Sequence, residues 1–155
     1  MRSMCWQCIA AGANGLILYS YFDMVKEPNG VPFKERWADC CRMGEEIVKY
    51  MPVLLADEPL GEESIVADVV CDPPIKPEPC GDRPVETRAW LYKGEVWLLA
   101  VNSSAQSATP TIRLRRAYSV AKREVGPEPV LAADGKSLSI TLPPLDHVLV
   151  RLAAE

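Results

Sequence analysis

The feature that most constrains the fold is an uncharged run of seven residues at positions 16–22, LILYSYF. Apolar and polar residues hardly alternate in it, and a run that is apolar on both faces is typical of a central strand in a parallel sheet. Such a strand needs hydrogen-bonded neighbours on both edges and helices on both faces. Residues 1–55 contain no second run of this kind, so we expect the neighbours to come from the last part of the chain, from another copy or from sequence outside this chain.

Helical patterns flank this predicted strand. Before it, the sequence predicts a helix that stops at the pair Asn14-Gly15. The apolar stripe of this helix is Cys5, Cys8, Ile9 and Gly12. After it, a loop leads to a second helix, predicted over 34–51 and followed by Pro52. Its apolar stripe is Trp37, Cys41, Gly44, Val48 and Met51. The predicted order is therefore helix, buried strand, helix.

Charge and proline divide the chain into three zones. Residues 1–55 have a net charge of zero, residues 56–85 have six more acidic than basic side chains, and residues 86–155 have a net charge of +2. Seven of the 14 prolines lie between positions 52 and 84. We therefore predict three units: an α/β unit at 1–55, an acidic, proline-rich linker at 56–85 and a third domain at 86–155. Within the linker, residues 65–70 are apolar enough for a short strand.

In the third zone apolar and polar residues tend to alternate, and turn signals recur at regular intervals, as is typical of an all-β domain. The pair Lys93-Gly94 predicts a tight hairpin, and Asp134-Gly135 favours a second turn of the same type. The predicted strands are 86–92, 95–102, 109–115, 119–123, 130–132, 137–142 and 147–152. About seven short strands in about 70 residues predict an antiparallel β-sandwich. The fold class is thus α+β, a helix–strand–helix unit followed by this sandwich.

Composition excludes some functions. A net charge of −4 gives no electrostatic reason to expect nucleic-acid binding, and strand alternation spreads the basic residues of 113–123 over two sheet faces. The uncharged stretch 3–22 is interrupted by polar and flexible residues, so we expect no membrane span. Its small residues precede the apolar run, which is the wrong order for a signal peptide. The sequence specifies no compartment.

The six cysteines suggest a metal or disulfide site only weakly. The pairs Cys5/Cys8 and Cys40/Cys41 could supply four zinc ligands, but the second pair lacks the spacing of a chelating loop. Small buried hydrophobes are the favoured interpretation, so we expect no metal and no cofactor. Cys71 and Cys80 bracket a proline-rich loop, and a disulfide between them stays open for an oxidising compartment.

The single histidine, His147, begins the last predicted strand. Asp146 precedes it directly, and neighbours on a strand point to opposite faces, so this carboxylate is poorly placed to orient the imidazole. We therefore expect a half-exposed strand residue and assign no catalytic residue. The best candidate site is Tyr19, Tyr21, Phe22 and Asp23, because aromatic rings stack on sugars and Asp23 directly follows the predicted strand. The alternative is that the tyrosines line a core.

Five segments together resemble the end of a (β/α)8-barrel glycoside hydrolase with its appended β-sandwich. Residues 4–21 are similar to the approach to the eighth strand and residues 37–55 to the final helix and exit segment. The sandwich resemblance rests on GEVWLLAVN at 94–102, TIRL at 111–114 and LPPLDHVLVRL at 142–152. The eighth strand usually ends in tryptophan, whereas Tyr19 or Tyr21 would occupy that place here.

The resemblance implies a C-terminal fragment of a glycoside hydrolase-like protein that acts as a structural or accessory module. The catalytic carboxylates of such enzymes come from earlier barrel strands that this chain does not contain, so we expect no activity from the chain alone. Its expected partners are a carbohydrate and either the missing barrel portion or another copy, in a homo-oligomer. The alternative function is a stand-alone carbohydrate-binding β-sandwich.

Overall fold

Four helices and eight strands form the described part of the chain, which comprises residues 2–18, 21–26, 30–56, 62–76 and 83–154 of a computed structural model. The helices are Arg2–Ala10 (α1), Tyr21–Val25 (α2), Phe33–Leu54 (α3) and Glu62–Ile65 (α4). The strands are Val66–Cys71 (β1), Val85–Tyr92 (β2), Glu95–Asn102 (β3), Pro110–Leu114 (β4), Val120–Val125 (β5), Val130–Leu131 (β6), Ser137–Ser139 (β7) and His147–Ala153 (β8). No helix within these ranges combines the length and the apolar sequence that are needed to cross a bilayer.

The strands form two four-stranded antiparallel sheets. The strand order is β1-β4-β7-β6 in one, which we call the outer sheet, and β2-β3-β8-β5 in the other, the middle sheet. Side chains of both sheets share one core, in which Ile112 and Leu138 of the outer sheet join Val148 and Val150 of the middle sheet. The predicted α+β class with an antiparallel sandwich is confirmed at this level.

The hairpin between β2 and β3 follows the prediction. Tyr92 pairs with Glu95, so that Lys93 and Gly94 alone form the loop, with φ angles of 52° and 80°. Positive φ at both positions is the signature of the turn type whose twist matches that of the flanking strands. The local sequence is therefore sufficient to fix this register.

The two inner strands of the middle sheet, β3 and β8, are buried on both faces. On β3, Leu98 and Ala100 point into the sandwich core, whereas Trp97, Leu99 and Val101 point to the other side and pack against α1 and α3. Burial on both sides explains why β3 reads as a nearly continuous apolar run. The described chain is therefore layered as helices, middle sheet and outer sheet.

Part of the stretch predicted as a linker belongs to the sandwich. Residues 62–65 form α4, and β1 pairs along β4 at the edge of the outer sheet. Ile65 and Val66 are buried in the sandwich core. The short apolar segment at 65–70 therefore contributes core residues, while residues 57–61 and 77–82 of the predicted linker lie outside the described ranges.

The predicted central strand at 16–22 is wrong for the residues that the structure describes. Residues 16–18 have no regular secondary structure, and α2 begins at Tyr21. Ile17 is 94% exposed. The physical reason is the shortage of partners noted in the sequence, because a strand without neighbours leaves its backbone groups without the ladder bonds that define it.

Helix α1 ends earlier than predicted. Gly12 has a φ of 102°, its N–H donates to the Ile9 carbonyl, and the Ala13 N–H donates to the Cys8 carbonyl. These two bonds form a Schellman motif, which uses a left-handed glycine to end a helix. The stop is therefore Gly12, a residue of the predicted apolar stripe, and not the pair Asn14-Gly15.

Helix α3 carries two apolar stripes and buries the one that was not predicted. Met43, Tyr50 and Val53 are buried, whereas Val48 and Met51 of the predicted stripe are exposed. The two stripes are offset by six residues, which places them about 120° apart at about 100° per residue. The helix also continues through Pro52 to Leu54, three residues past the predicted end.

Candidate functional site

The structure describes little of the predicted sugar-binding cluster. Tyr19 and the side chains of Tyr21 and Asp23 lie outside the described residues. Phe22 is exposed and lies on α2 instead of at the end of a strand. The cluster of Tyr19, Tyr21, Phe22 and Asp23 therefore stays a prediction.

A different group of chemically active side chains meets where the helices pack on the middle sheet. Trp6 comes from α1, Glu46 from α3 and His147 from the first position of β8, and Arg2 and Asp146 complete what we call the His147 cluster. The Trp6 and His147 rings stack with their centroids 4.4 Å apart and their planes at 21°. Both side chains are fully buried.

Glu46 is the centre of the cluster's contacts. Its Oε1 accepts a hydrogen bond of 2.9 Å from Trp6 Nε1, and its Oε2 accepts one of 2.8 Å from Arg2 Nη2. A second nitrogen of the same guanidinium, Nη1, donates to Asp146 Oδ1 at 3.3 Å. Arg2 therefore bridges the two carboxylates and ties the start of α1 both to α3 and to the turn before β8.

The imidazole itself is close to both carboxylates but is not hydrogen-bonded. His147 Nε2 lies 3.0 Å from Glu46 Oε1, and Nδ1 lies 3.5 Å from Asp146 Oδ1. Neither contact has hydrogen-bonding geometry, so both ring nitrogens are buried without a partner. Such groups are rare in folded proteins and call for an explanation.

The expectation of a half-exposed His147 is wrong, and so is the expectation that Asp146 faces away. Asp146 lies in the turn before β8, after Leu145 with its φ of 53°, so strand alternation does not apply to it. Its Oδ1 instead accepts a hydrogen bond from the His147 backbone N–H at 2.9 Å. The burial comes from Trp6 on α1 and Glu46 on α3, which both precede His147 by more than 100 residues of sequence, and no local pattern signals it.

Burial keeps the imidazole neutral. It lowers the pKa of His147 from 6.5 to about 4, and the Arg2 charge acts in the same direction, while Glu46 and Asp146 oppose it. The dominant cause is that a charged ring has no water in this position. Because the ring is fully buried, no substrate reaches its nitrogens, and the cluster is suited to fastening the helices to the sheet.

Removing the Glu46 carboxylate should weaken the attachment of α1 and α3 to the middle sheet. Glu46→Ala leaves Trp6 Nε1 without its acceptor and should lower the free energy of unfolding by about 1–3 kcal/mol. Glu45→Ala, at the exposed neighbouring position, should change it by less than about 0.5 kcal/mol. Urea denaturation followed by far-UV circular dichroism measures both, and equal effects would contradict the role given to Glu46.

An apolar groove of about 310 Å³ lies on the other side of the helical layer. Residues 13–16 form one wall with Leu18, and α3 forms the other with side chains that include Met43, Val48 and Met51. Ile17 projects into solvent beside it. The groove thus brings Leu16 and Leu18 of the predicted central strand together with part of the exposed stripe on α3.

Two more polar clefts lie along the margins of the sandwich. One, of about 420 Å³, follows β1 and is lined partly by Asp68, Arg83 and Arg115. The other, of about 710 Å³, lies between β5 and the turn after β6, where Ser119 and Asp134 supply polar groups. Phe22, the residue of the predicted cluster whose side chain the structure describes, lines neither cleft.

The cysteines do not assemble a metal site among the residues described. No three side chains of histidine, cysteine, aspartate or glutamate in those ranges are placed to share a metal ion. Burial raises the pKa of the Cys5 and Cys71 thiols above their ordinary value, so both are protonated at neutral pH. Cys80 lies outside the described residues, and the Cys71–Cys80 bridge stays a hypothesis.

Comparison with known proteins gives no relative for this chain, since no family model, curated protein or solved structure matches it.

Proposed function

We propose that this chain is the C-terminal part of a glycoside hydrolase-like barrel protein and that its role is structural. In this proposal α1 and α3 are the last helices of the barrel, and the sandwich braces them. The observation that carries the proposal is the second, exposed apolar stripe of α3, which lies beside the exposed residues Ile17 and Leu18.

A helix that is apolar on two sides belongs between two layers. One stripe of α3 is covered by the middle sheet, through Tyr50 and Val53. The other borders the groove of about 310 Å³ and exposes Val48 and Met51. Contiguous apolar surface of this kind marks an interface. In the proposed barrel, further strands and helices would cover this side.

The tryptophan-rich contact between the helices and the middle sheet is evidence that the sandwich stabilises the helices. Trp6 and Ile9 of α1 and Tyr50 of α3 pack with Trp90 and Trp97 of the sheet. The Tyr50 hydroxyl also donates a hydrogen bond to the Glu124 carbonyl on β5. Large aromatic side chains dominate the energetics of such contacts, so the sandwich offers a firm platform for the helices.

The proposal predicts that the isolated chain does not hydrolyse glycosides. A panel of aryl glycosides is the simplest assay, because the released phenol is coloured. We expect no turnover above buffer. Hydrolysis that stays with the protein through repurification would contradict a purely structural role and would require a carboxylate pair in this chain.

The exposed stripe should also make the chain self-associate. We expect light scattering to show dimers or larger species, and Val48→Lys should shift the population towards monomer and lower the binding of an apolar dye. The matched control is Val130→Lys on β6, since Val48 is 60% and Val130 66% exposed. A monodisperse wild-type monomer, or an equal effect of both substitutions, would count against the proposal.

A second candidate is a carbohydrate-binding module, which the cleft of about 710 Å³ with its Ser119 and Asp134 favours. A serine hydroxyl can donate and accept hydrogen bonds and a carboxylate can accept them, so both groups can bind the hydroxyls of a sugar. Calorimetric titration with oligosaccharides tests it. Binding that survives Tyr21→Ala would point to the sandwich, loss of binding would point to the predicted Tyr19–Asp23 cluster, and no heat with any oligosaccharide would exclude both.

A further inference from the structure

We propose that the His147 cluster is an acid-sensitive latch, in which proton uptake by the buried imidazole releases α1 from the middle sheet. The latch does not depend on the proposed ancestry of the chain, since it follows from contacts among described residues.

The closed cluster accommodates a proton on the imidazole poorly. The imidazole lies against the Trp6 ring on one face, and neither of its buried nitrogens makes a hydrogen bond. A charged imidazole carries two N–H donors, and the acceptors nearest to them, Glu46 Oε1 at 3.0 Å and Asp146 Oδ1 at 3.5 Å, lie outside hydrogen-bonding geometry, so burying the charge is costly. To hydrate the charged ring, Trp6 must move away, and Trp6 is anchored on α1.

Three charged groups lie beside the imidazole, whereas β3, which pairs with His147, places the uncharged Val101 opposite it. Arg2 belongs to α1, Glu46 to α3, and Asp146 to the turn before β8. The two carboxylates favour a proton on the ring, but Arg2 already engages both of them. Arg2 opposes protonation, and burial opposes it most, so that the pKa of His147 in the closed cluster is about 4.

Helix α1 is suited to be the moving part. It has nine residues, too few for an isolated helix to be stable in water. Its order depends on four residues, Cys5, Trp6, Ile9 and Ala10, which are buried when it is docked. Undocking therefore amounts to local unfolding of α1, which leaves the ladders of both sheets intact.

The sign of the pH dependence follows from the two protonation states. The exposed imidazole has a pKa of 6.5 and the buried one a pKa of about 4, so the open form binds more protons between these values. Stability of the closed form is fully present above pH 6.5 and falls as the pH falls towards about 4. Between about pH 7.5 and about pH 5 the ratio of open to closed α1 should rise about 30-fold.

The chain has a single histidine, so its ring signal is assigned in an NMR spectrum without mutagenesis. In the full chain we expect this ring to titrate well below 6.5. Protection factors of the amides of residues 6–10 should be at least tenfold below those of β3 and should fall about 30-fold between about pH 7.5 and about pH 5. A ring that titrates at 6.5, or one protection factor shared by α1 and β3, would overturn the proposal.

His147→Phe is the control, because it removes the titrating group and keeps a ring against Trp6. We expect the drop in α1 protection between the two pH values to disappear in this variant. If the same drop remains, carboxylate protonation accounts for it and the latch is excluded. Should the variant fail to fold, the ring titration and the exchange data of the wild-type chain decide the question by themselves.

Discussion

Trp6→Ala is expected to lower the free energy of unfolding by about 3–5 kcal/mol, the range found when a large aromatic side chain is removed from a core. Trp6 is fully buried. Its ring stacks on His147, and its Nε1 donates to Glu46. The substitution therefore leaves a cavity, uncovers the imidazole and removes the donor that helps to position the central carboxylate.

Trp37→Ala is the matched control, because Trp37 is 46% exposed and lies on the stripe of α3 that faces away from the middle sheet. We expect a loss of less than about 1 kcal/mol. Urea denaturation followed by far-UV circular dichroism avoids the change in tryptophan fluorescence that both substitutions cause. Equal losses would mean that α1 is not docked through Trp6.

Gly126→Ala is expected to be nearly as damaging, at about 3 kcal/mol or more. Gly126 has a φ of +85°, and a Cβ built on it would lie 2.2 Å from the His147 carbonyl oxygen and 2.9 Å from Val148 Cα. Both contacts are with backbone atoms of β8, which cannot rotate away. To fit the methyl group, the β5–β6 connection must separate from β8, the strand that carries His147.

Gly94→Ala is the control, because the difference between the two variants gives the steric part of the loss at Gly126. Gly94 has a similar φ of +80°, but no atom outside its chain neighbours lies within 4 Å of the added Cβ. It should therefore show only the backbone penalty for a left-handed alanine, about 1–2 kcal/mol. The two variants are compared by chemical denaturation at one pH. If they lose the same stability, the close approach of Gly126 to β8 is not a constraint.

The sandwich was largely predictable because its signals are local. Lys93-Gly94 fixes the β2–β3 register through backbone angles that few residues adopt. The predicted bounds of β3 are those observed, and β8 is one residue longer than predicted. Alternation along β8 also shows itself in the structure, where Val148 and Val150 face one core and Leu149 the other.

The two long helices were predicted, but the way they pack on the middle sheet and the His147 cluster were not predictable, for two physical reasons. Helix α3 has two apolar stripes, and sequence alone does not say which one a partner covers. The sequence predicts burial of the stripe through Trp37, whereas the structure buries the one through Tyr50. His147 is buried by Trp6 and Glu46, which lie far away in the sequence. The strand predicted at 16–22 failed on the same account, since a strand is a property of its partners as well as of its residues.

The two-sided burial of the middle sheet determines how this protein can be dissected. A truncation that begins at residue 62 would keep every described strand, and would look reasonable from the strand order alone. It would also expose Trp90, Trp97, Leu99 and Leu149 to water on one continuous face. A sandwich excised in this way should precipitate or recruit other apolar surfaces. Any expression boundary that is meant to yield a well-behaved module must therefore retain α1 and α3.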